Sequence, residues 1–519
     1  MDSEKGYGDT IVGPSRRSQV EIQQQEDAVG SLDPAHVEYL IQRHGTVELE
    51  PLPSMDPLDP FNWPSWRKNL FLALFAFHGM MAGYVAAGLV PALPLMAKKY
   101  GVSLTASTYL ASVSIAIYSV VPFLWLPLMD RIGRRPSLLL SAFGAAICNV
   151  GGVFCETYGT QMATRVLTAL FIAPPTALGG IIVTELFFVH ERGTKTGIWK
   201  LFFTIGAPAG PFILGFVTKF AGLRWVYGVM ALTCFGLFLS YVLFCPETKY
   251  ERNYYRRGCR RPASCGHVVP SQPSQLDFMK FCPVDLRKPW SWKTFLRPLT
   301  LFFSAPRIIL PICAYAIVFA YANVAICLTV PQVAGEKFHL DSEGIGLQFI
   351  AIMVGLVLGE LLGGFGSDRW MTWRISKRGG NRVIEDRLWL SYPGIVLVVV
   401  GLVLWGVKTQ QAREGHWIVS PSIGAAIASF GCQVITTVLV TYAIDVDPIR
   451  SADTGLVINL VRQLWAFIGP FYFPRMFSSL GFGGAGGVMA AVVGVAASTL
   501  VALVQFNIVA GPAEAVTAV

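Results

Sequence analysis

Five ionisable residues interrupt long apolar runs of this chain: Arg165, Glu185, Glu360, Asp445 and Arg462. A charge in hydrocarbon is costly unless it is paired or used, so such residues mark ion or proton pathways by default. Glu185 and Asp445 fall at helix ends, where each is either simply solvated or part of a gate. Arg165 either snorkels towards a headgroup layer or, as a deep charge, has a functional role. Glu360 lies eight residues before Asp368, which is about 12 Å along a helix. Arg462 lies at similar depth in another helix. The two are expected to meet, either as a static pair or as a proton switch in which Glu360 protonates and releases Arg462.

A second group is compact. Asp130, Arg131, Arg134 and Arg135 put four charges into the seven residues 129–135, while residues 101–129 before Asp130 and 136–155 after it carry no Lys, Arg or Glu. Three guanidiniums so close can grip carboxylates by bidentate bonds. Gly133 allows the chain to turn tightly between them.

Helices must position these groups. The chain has 519 residues, 53% hydrophobic and only 14% charged, with a mean hydropathy of +0.52. A soluble domain carries about 25% charged residues. Twelve runs are apolar enough to cross a bilayer core, near 69–92, 105–128, 136–155, 163–186, 197–218, 224–245, 308–333, 344–366, 388–407, 418–444, 454–475 and 484–508. Lys and Arg concentrate in alternate loops, which puts both termini in the cytoplasm. Of 41 Lys and Arg, 12 lie in 247–307. A cytoplasmic loop facing anionic lipid accounts for them, so no nucleic-acid partner is expected. The cysteines show no metal or disulfide spacing, and Cys259, Cys265 and Cys282 fall in that basic loop. No cofactor is expected, and no constellation of an enzyme or a channel filter is present.

The two halves repeat. Asp368-Arg369 after span eight partly copies Asp130-Arg131 after span two. Pro94 precedes Asp130 by 36 residues and Pro331 precedes Asp368 by 37. Gly197 to Gly210 spans 13 residues, and Gly455 to Gly469 spans 14. Matched landmarks at matched spacing indicate a duplicated six-helix unit.

Asp-Arg-x-Gly-Arg-Arg between spans two and three resembles the signature loop of the major facilitator superfamily, with Leu126 where the family has Gly. Gly197, Gly206, Gly210-Pro211 and Gly215 resemble the span-five motif of its drug:proton antiporters, with Leu214 as the one departure. Pro246-Glu247-Thr248 resembles the ending of the superfamily's first half, and Asn62-Trp63-Pro64 resembles the lead-in of fungal members. The resemblance implies an all-α membrane protein with 12 transmembrane helices in two parallel six-helix repeats. It implies a secondary transporter, a proton-coupled antiporter exporting small organic molecules by alternating access. An uptake carrier for a small organic cation or polyamine is the alternative.

The expected units are a disordered tail with an interfacial anchor (1–66), two bundles (67–246 and 308–510), a basic linker (247–307) and a short tail (511–519). Asp130, Arg131, Gly133, Arg134, Arg135, Glu191, Arg192, Glu247, Asp368 and Arg369 are expected to form a charge latch. Arg165, Glu360 and Arg462 are the proton-coupling candidates. Gly355, Gly359 and Gly363 give span eight a face for close helix approach. Pro174-Pro175 should break span four and free backbone carbonyls. Tyr84, Tyr321, Asn323, Gln433 and Thr437 are the cavity candidates, suited to a neutral, weakly acidic or amphipathic substrate. The expected partners are that substrate, protons and the bilayer, with the protein monomeric in the plasma membrane.

Overall fold

Each long apolar run folds into helix, because helix satisfies every backbone polar group within one segment where no water can do so. The computed structural model describes residues 34–47, 49, 51–250, 295–378, 383–447, 450–506 and 508. The described elements are all helical. Spans one to six are Ser65–Ala87, Leu104–Ile132, Arg134–Val153, the broken pair Tyr158–Ile172 and Pro175–Leu186, Val189–Phe220, and Leu223–Phe244. Span seven begins at Pro306–Phe319, and spans eight to ten are Phe349–Lys377, Ser391–Gln411 and Ser420–Val446.

Among the described residues, ten helical stretches are long and apolar enough to cross a membrane. Two spans escape that count. Span four is cut into two short helices. Spans eleven and twelve run together as Ser451–Gln505, with the chain bent at Gly481, whose φ of 67° and ψ of 172° lie outside any helix. The total among the described residues is twelve.

The break in span four follows from its prolines. Pro174 and Pro175 lack the N–H groups that would bond the carbonyls of Leu170 and Phe171, four residues earlier. Those two carbonyls accept from Trp125 Nε1 at 2.9 Å and from Ser141 Oγ. The freed carbonyls are therefore taken up by side chains of spans two and three.

The repeat shows in the packing. Span two packs on span eleven, and span five packs on span eight. In a duplicated chain span eight is the counterpart of span two, and span eleven of span five, so one interface is used twice. This is the geometry of two parallel repeats about an axis normal to the membrane.

Part of the tail departs from expectation. Pro34–His44 is a helix, and residues after it fold back over the first half. Arg43 donates to Asn62 O at 2.7 Å, and Ser54 bonds Asp59 through both its amide and its hydroxyl. Tyr250, just past span six, donates to Asp56 at 3.1 Å. Phe61 stacks on Phe188 with centroids 4.9 Å apart. Phe61 and Trp63 are buried in protein, and only Trp66 is exposed as an interfacial ring would be. Side-chain bonds to its own backbone and ring stacking hold a segment whose composition reads as disordered. Residues 1–33, most of the basic linker (251–294) and the final tail lie outside the described residues.

Candidate functional site

The loop between spans two and three turns at Gly133, whose φ of 98° favours glycine. The turn sends Arg134 back beneath span two. Arg134 pairs with Asp130 at 2.7 Å and with Glu185 of span four at 2.8 Å. Glu247 lays its carboxylate across the amides of Arg134 and Arg135, at 2.9 and 3.2 Å. Those amides open span three, and a helix N-terminus attracts negative charge. Thr248 donates to Glu185, and Lys249 Nζ donates to the Asp130 carbonyl. Asp130, Arg134, Arg135, Glu185 and Glu247 thus form one network joining spans two, three, four and six. Arg131 is half-buried beside it.

Other expected members lie elsewhere. Arg192 donates to the Phe187 and Thr184 carbonyls, capping the end of span four. Glu191 lines a polar cavity of about 450 Å³ with Arg43, His44, Lys68 and Lys195. Asp368 belongs to a second network in the other half. Arg387 lies 3.7 Å from Asp368 and 3.5 Å from Asp445, and donates to Ser367 Oγ at 3.0 Å. Arg387 therefore does in the second half what Arg134 does in the first. Arg369 is exposed, and no ion pair holds it among the described residues. The sequence hid Arg387 because the loop before span nine is longer and lacks the Gly-Arg-Arg ending.

The halves meet on both faces. On the face carrying Asp130, Arg297 of the linker pairs with Asp453 at the start of span eleven at 2.8 Å, within electrostatic reach of Asp130 of the first half. Asp453 holds the Arg297 guanidinium above its ordinary range. On the opposite face Lys219 of span five pairs with Asp341 at 2.8 Å and with Glu343. The bond from Lys219 holds the Asp341 carboxyl below its usual value. A depressed carboxyl pKa keeps its stabilisation above the unfolded value and loses it only as pH falls below that value, near 4. Acidifying from pH 7 to pH 5 should therefore leave this clamp closed, as read by zero-length carbodiimide cross-linking of Lys219 to Asp341 or Glu343.

The span-five glycines explain why this helix joins the halves. A Cβ on Gly206 would strike the Met80 carbonyl, and one on Gly210 would sit 2.5 Å from the Tyr84 carbonyl, both in span one. A Cβ on Gly215 would sit 2.7 Å from the Ser342 carbonyl of the other half. Gly197 has open space around it. Pro211 offers its carbonyl to the same contact, near Gly346. Gly210→Val should give inserted protein with transport reduced at least about tenfold, since backbone cannot yield as a side chain can. Wild-type transport would reduce the motif to a packing detail.

Glu360 and Arg462 do not pair. Glu360 accepts from Gln433 Nε2 at 2.6 Å and Thr437 Oγ1 at 2.8 Å, both of span ten. The reason is the glycine face: Gly355, Gly359 and Gly363 all abut span ten backbone or side chains, at Ala426, Phe430 and Val434. Span ten fills the groove in which Glu360 lies. Arg462 instead donates to Tyr315 OH at 3.4 Å and Asn459 Oδ1 at 3.2 Å, between the rings of Phe203 and Phe319. Gln433 and Thr437 thus meet Glu360, whereas Tyr321 and Asn323 lie in a π-helical turn of span seven, Ala320–Ala325. Tyr84 packs in the first half beside Gly210.

Arg165 is buried and bonds the carbonyls of Leu110, Val85 and Ala86 and the Ser114 hydroxyl. Val85 and Ala86 end the first helix, where carbonyls lack intrahelical partners. Arg165 serves there as a cap, not as a snorkelling surface residue. Two further polar groups escaped notice. Lys200 of span five lies within electrostatic reach of Glu360, Asp445 and Arg387. His78 is fully buried between Tyr241 at 3.1 Å and Ser141 at 3.3 Å. Each is a lone titratable residue in an apolar helix, the same signal that exposed Glu360.

Residues 71–470 match the model of the Major Facilitator Superfamily. The chain belongs to this superfamily. It is similar to MFS transporter cpaT of Aspergillus oryzae, 27% identical over 434 residues that cover 82% of this chain and 84% of that one. It is also similar to efflux pump vrtL of Penicillium aethiopicum, at 25% identity with 82% and 83% covered, and to efflux pump FUBT of Fusarium oxysporum, at 24% with 80% and 69% covered. The human organic anion transporter MFSD10 shares the fold, with a TM-score of 0.55 at 16% identity over 84% of this chain and all of that one. As a superfamily member the protein is a multi-pass membrane transporter of small molecules, a family of carriers rather than enzymes.

Proposed function

We propose that this transporter is a proton-coupled antiporter that exports small organic molecules by alternating access. It works as a monomer in the plasma membrane with both termini in the cytoplasm. The observation that carries the reading is span five. Gly206 and Gly210 bind it to span one while Gly215 meets the other half, so one helix couples the two bundles as they rock. The fungal efflux pumps among its relatives favour export. Loop cations favour placing the Asp130 face inside. The cation or polyamine carrier would need an acidic site, whereas the interior carboxylate Glu360 is held by span ten and faces Lys200.

Two measurements test it. In inside-out vesicles, an acid-inside pH gradient should drive compound accumulation at least about tenfold above the ungraded control, roughly the effect of one imposed pH unit on a one-proton exchange. Accumulation that ignores the gradient would overturn proton coupling. Asp130→Asn should slow turnover several-fold with little change in substrate affinity, because it frees the Arg134 network without touching the interior. A wild-type rate for Asp130→Asn would mean the network is not a gate.

A further inference from the structure

Arg462 is a cation without a counter-ion. It is only 7% exposed, and its bonds go to a phenol and an amide, both neutral. No carboxylate pairs with it among the described residues, and its Nε is buried with no acceptor. The Phe203 and Phe319 rings lie 5.1 and 4.8 Å from the guanidinium carbon. Such ring contacts recover only part of the solvation a buried charge loses.

The surroundings belong to both halves. Arg462, Asn459, Tyr315 and Phe319 come from spans eleven and seven of the second half, Phe203 from span five of the first. Asn459 also donates to the Tyr118 carbonyl of span two at 2.6 Å. When the halves part, Phe203 and the Tyr118 carbonyl must withdraw from their partners. What they uncover is a guanidinium with an unused N–H edge, flanked by an aromatic ring and a phenol.

We propose that Arg462 is the substrate-binding residue for an organic monoanion, with Phe203 and Phe319 taking its flat apolar body. This rests on the export reading above and narrows it to a substrate class. A carboxylate matches the fork of the guanidinium bidentately. It also supplies the charge that the site lacks, so the substrate would be drawn in as the halves open. Lys200, one turn before Phe203 on span five, adds positive charge nearby.

The test uses purified full-length protein at equilibrium, without a pH gradient, and three matched probes: 2-naphthoate, 2-naphthamide and 2-naphthylmethylammonium. The carboxylate should bind at least about tenfold tighter than the other two, the order of one charge-assisted hydrogen bond. Arg462→Gln should erase that preference, and Arg462→Lys should weaken carboxylate binding while keeping its sign. Phe203→Leu should weaken all three probes and leave the preference intact. Should Arg462→Gln fail to fold, the wild-type ranking and Phe203→Leu still decide. Equal binding of amide and carboxylate, a preference for the ammonium, no binding of any probe, or a preference that survives Arg462→Gln each overturns the subsite. The same proteins in vesicles separate the two readings. Carboxylate binding with flux that ignores the gradient sinks the proton coupling and keeps the subsite. Gradient-driven export of the ammonium alone does the reverse.

Discussion

Glu360→Gln is expected to cut pH-gradient-driven transport by about 100-fold, the scale of removing an essential proton-transfer group, while sparing substrate exchange at fixed pH. The substitution suits the question because it changes charge with little change of shape. An amide oxygen can still accept from Gln433 and Thr437, which now bond one carboxylate oxygen at 2.6 and 2.8 Å. The glycine contacts of span eight with span ten are untouched. A static carboxylate predicts otherwise: either both rates survive, or both fall together with poor expression. The charge environment favours an active role, since Glu360 has only neutral hydrogen-bond partners in its own half and lies within electrostatic reach of Lys200 of the first half. Protonating Glu360 would weaken an attraction between the halves, and such a bias is what shifts a two-state equilibrium. Gradient-driven uptake into inside-out vesicles and exchange of labelled substrate, measured on the same preparation, decide between them.

Arg134→Gln should be the change most damaging to stability. Arg134 has a side chain 8% exposed and serves two carboxylates at once. Removing one partner of a fully buried pair costs about 3 kcal/mol or more, and the partial exposure of both carboxylates brings the loss here below that. Glu185, 20% exposed, is stranded more severely than Asp130, 49% exposed. Thermal melting of the purified protein should therefore rank the losses Arg134→Gln first, Glu185→Gln second and Asp130→Asn least, with exposed charge screened by water. The reverse order would mean that the network is held mainly by Glu247 and the span-three amides. Arg387→Gln offers an internal comparison, since it bridges Asp368 and Asp445 at longer distances of 3.7 and 3.5 Å and should cost less.

What the sequence alone determined is what local spacing determines. Apolar run lengths specify how many times the chain crosses, and Pro and Gly specify where a helix breaks. The turn at Gly133 and the duplicated landmarks identify the repeat and the superfamily. Helical rise also placed Glu360 and Arg462 at similar depth. Depth is not direction, however. Which neighbour a side chain meets depends on which helices pack together, and glycine faces decide that by allowing backbone approach. Gly355, Gly359 and Gly363 were legible as such a face, yet only the fold shows that span ten fills it, taking Glu360 with it and leaving Arg462 to Phe203 and Phe319. Arg387 went unread because a loop of different length displaced it from the register of Arg134, while the two networks are alike in space. Residues up to about 55 read as disordered, and Phe61 and Trp63 as an interfacial anchor, because the stabilising partners of this segment, Phe188 and Tyr250, lie more than a hundred residues away in sequence. Contacts of that range are set by tertiary packing, which no local pattern encodes.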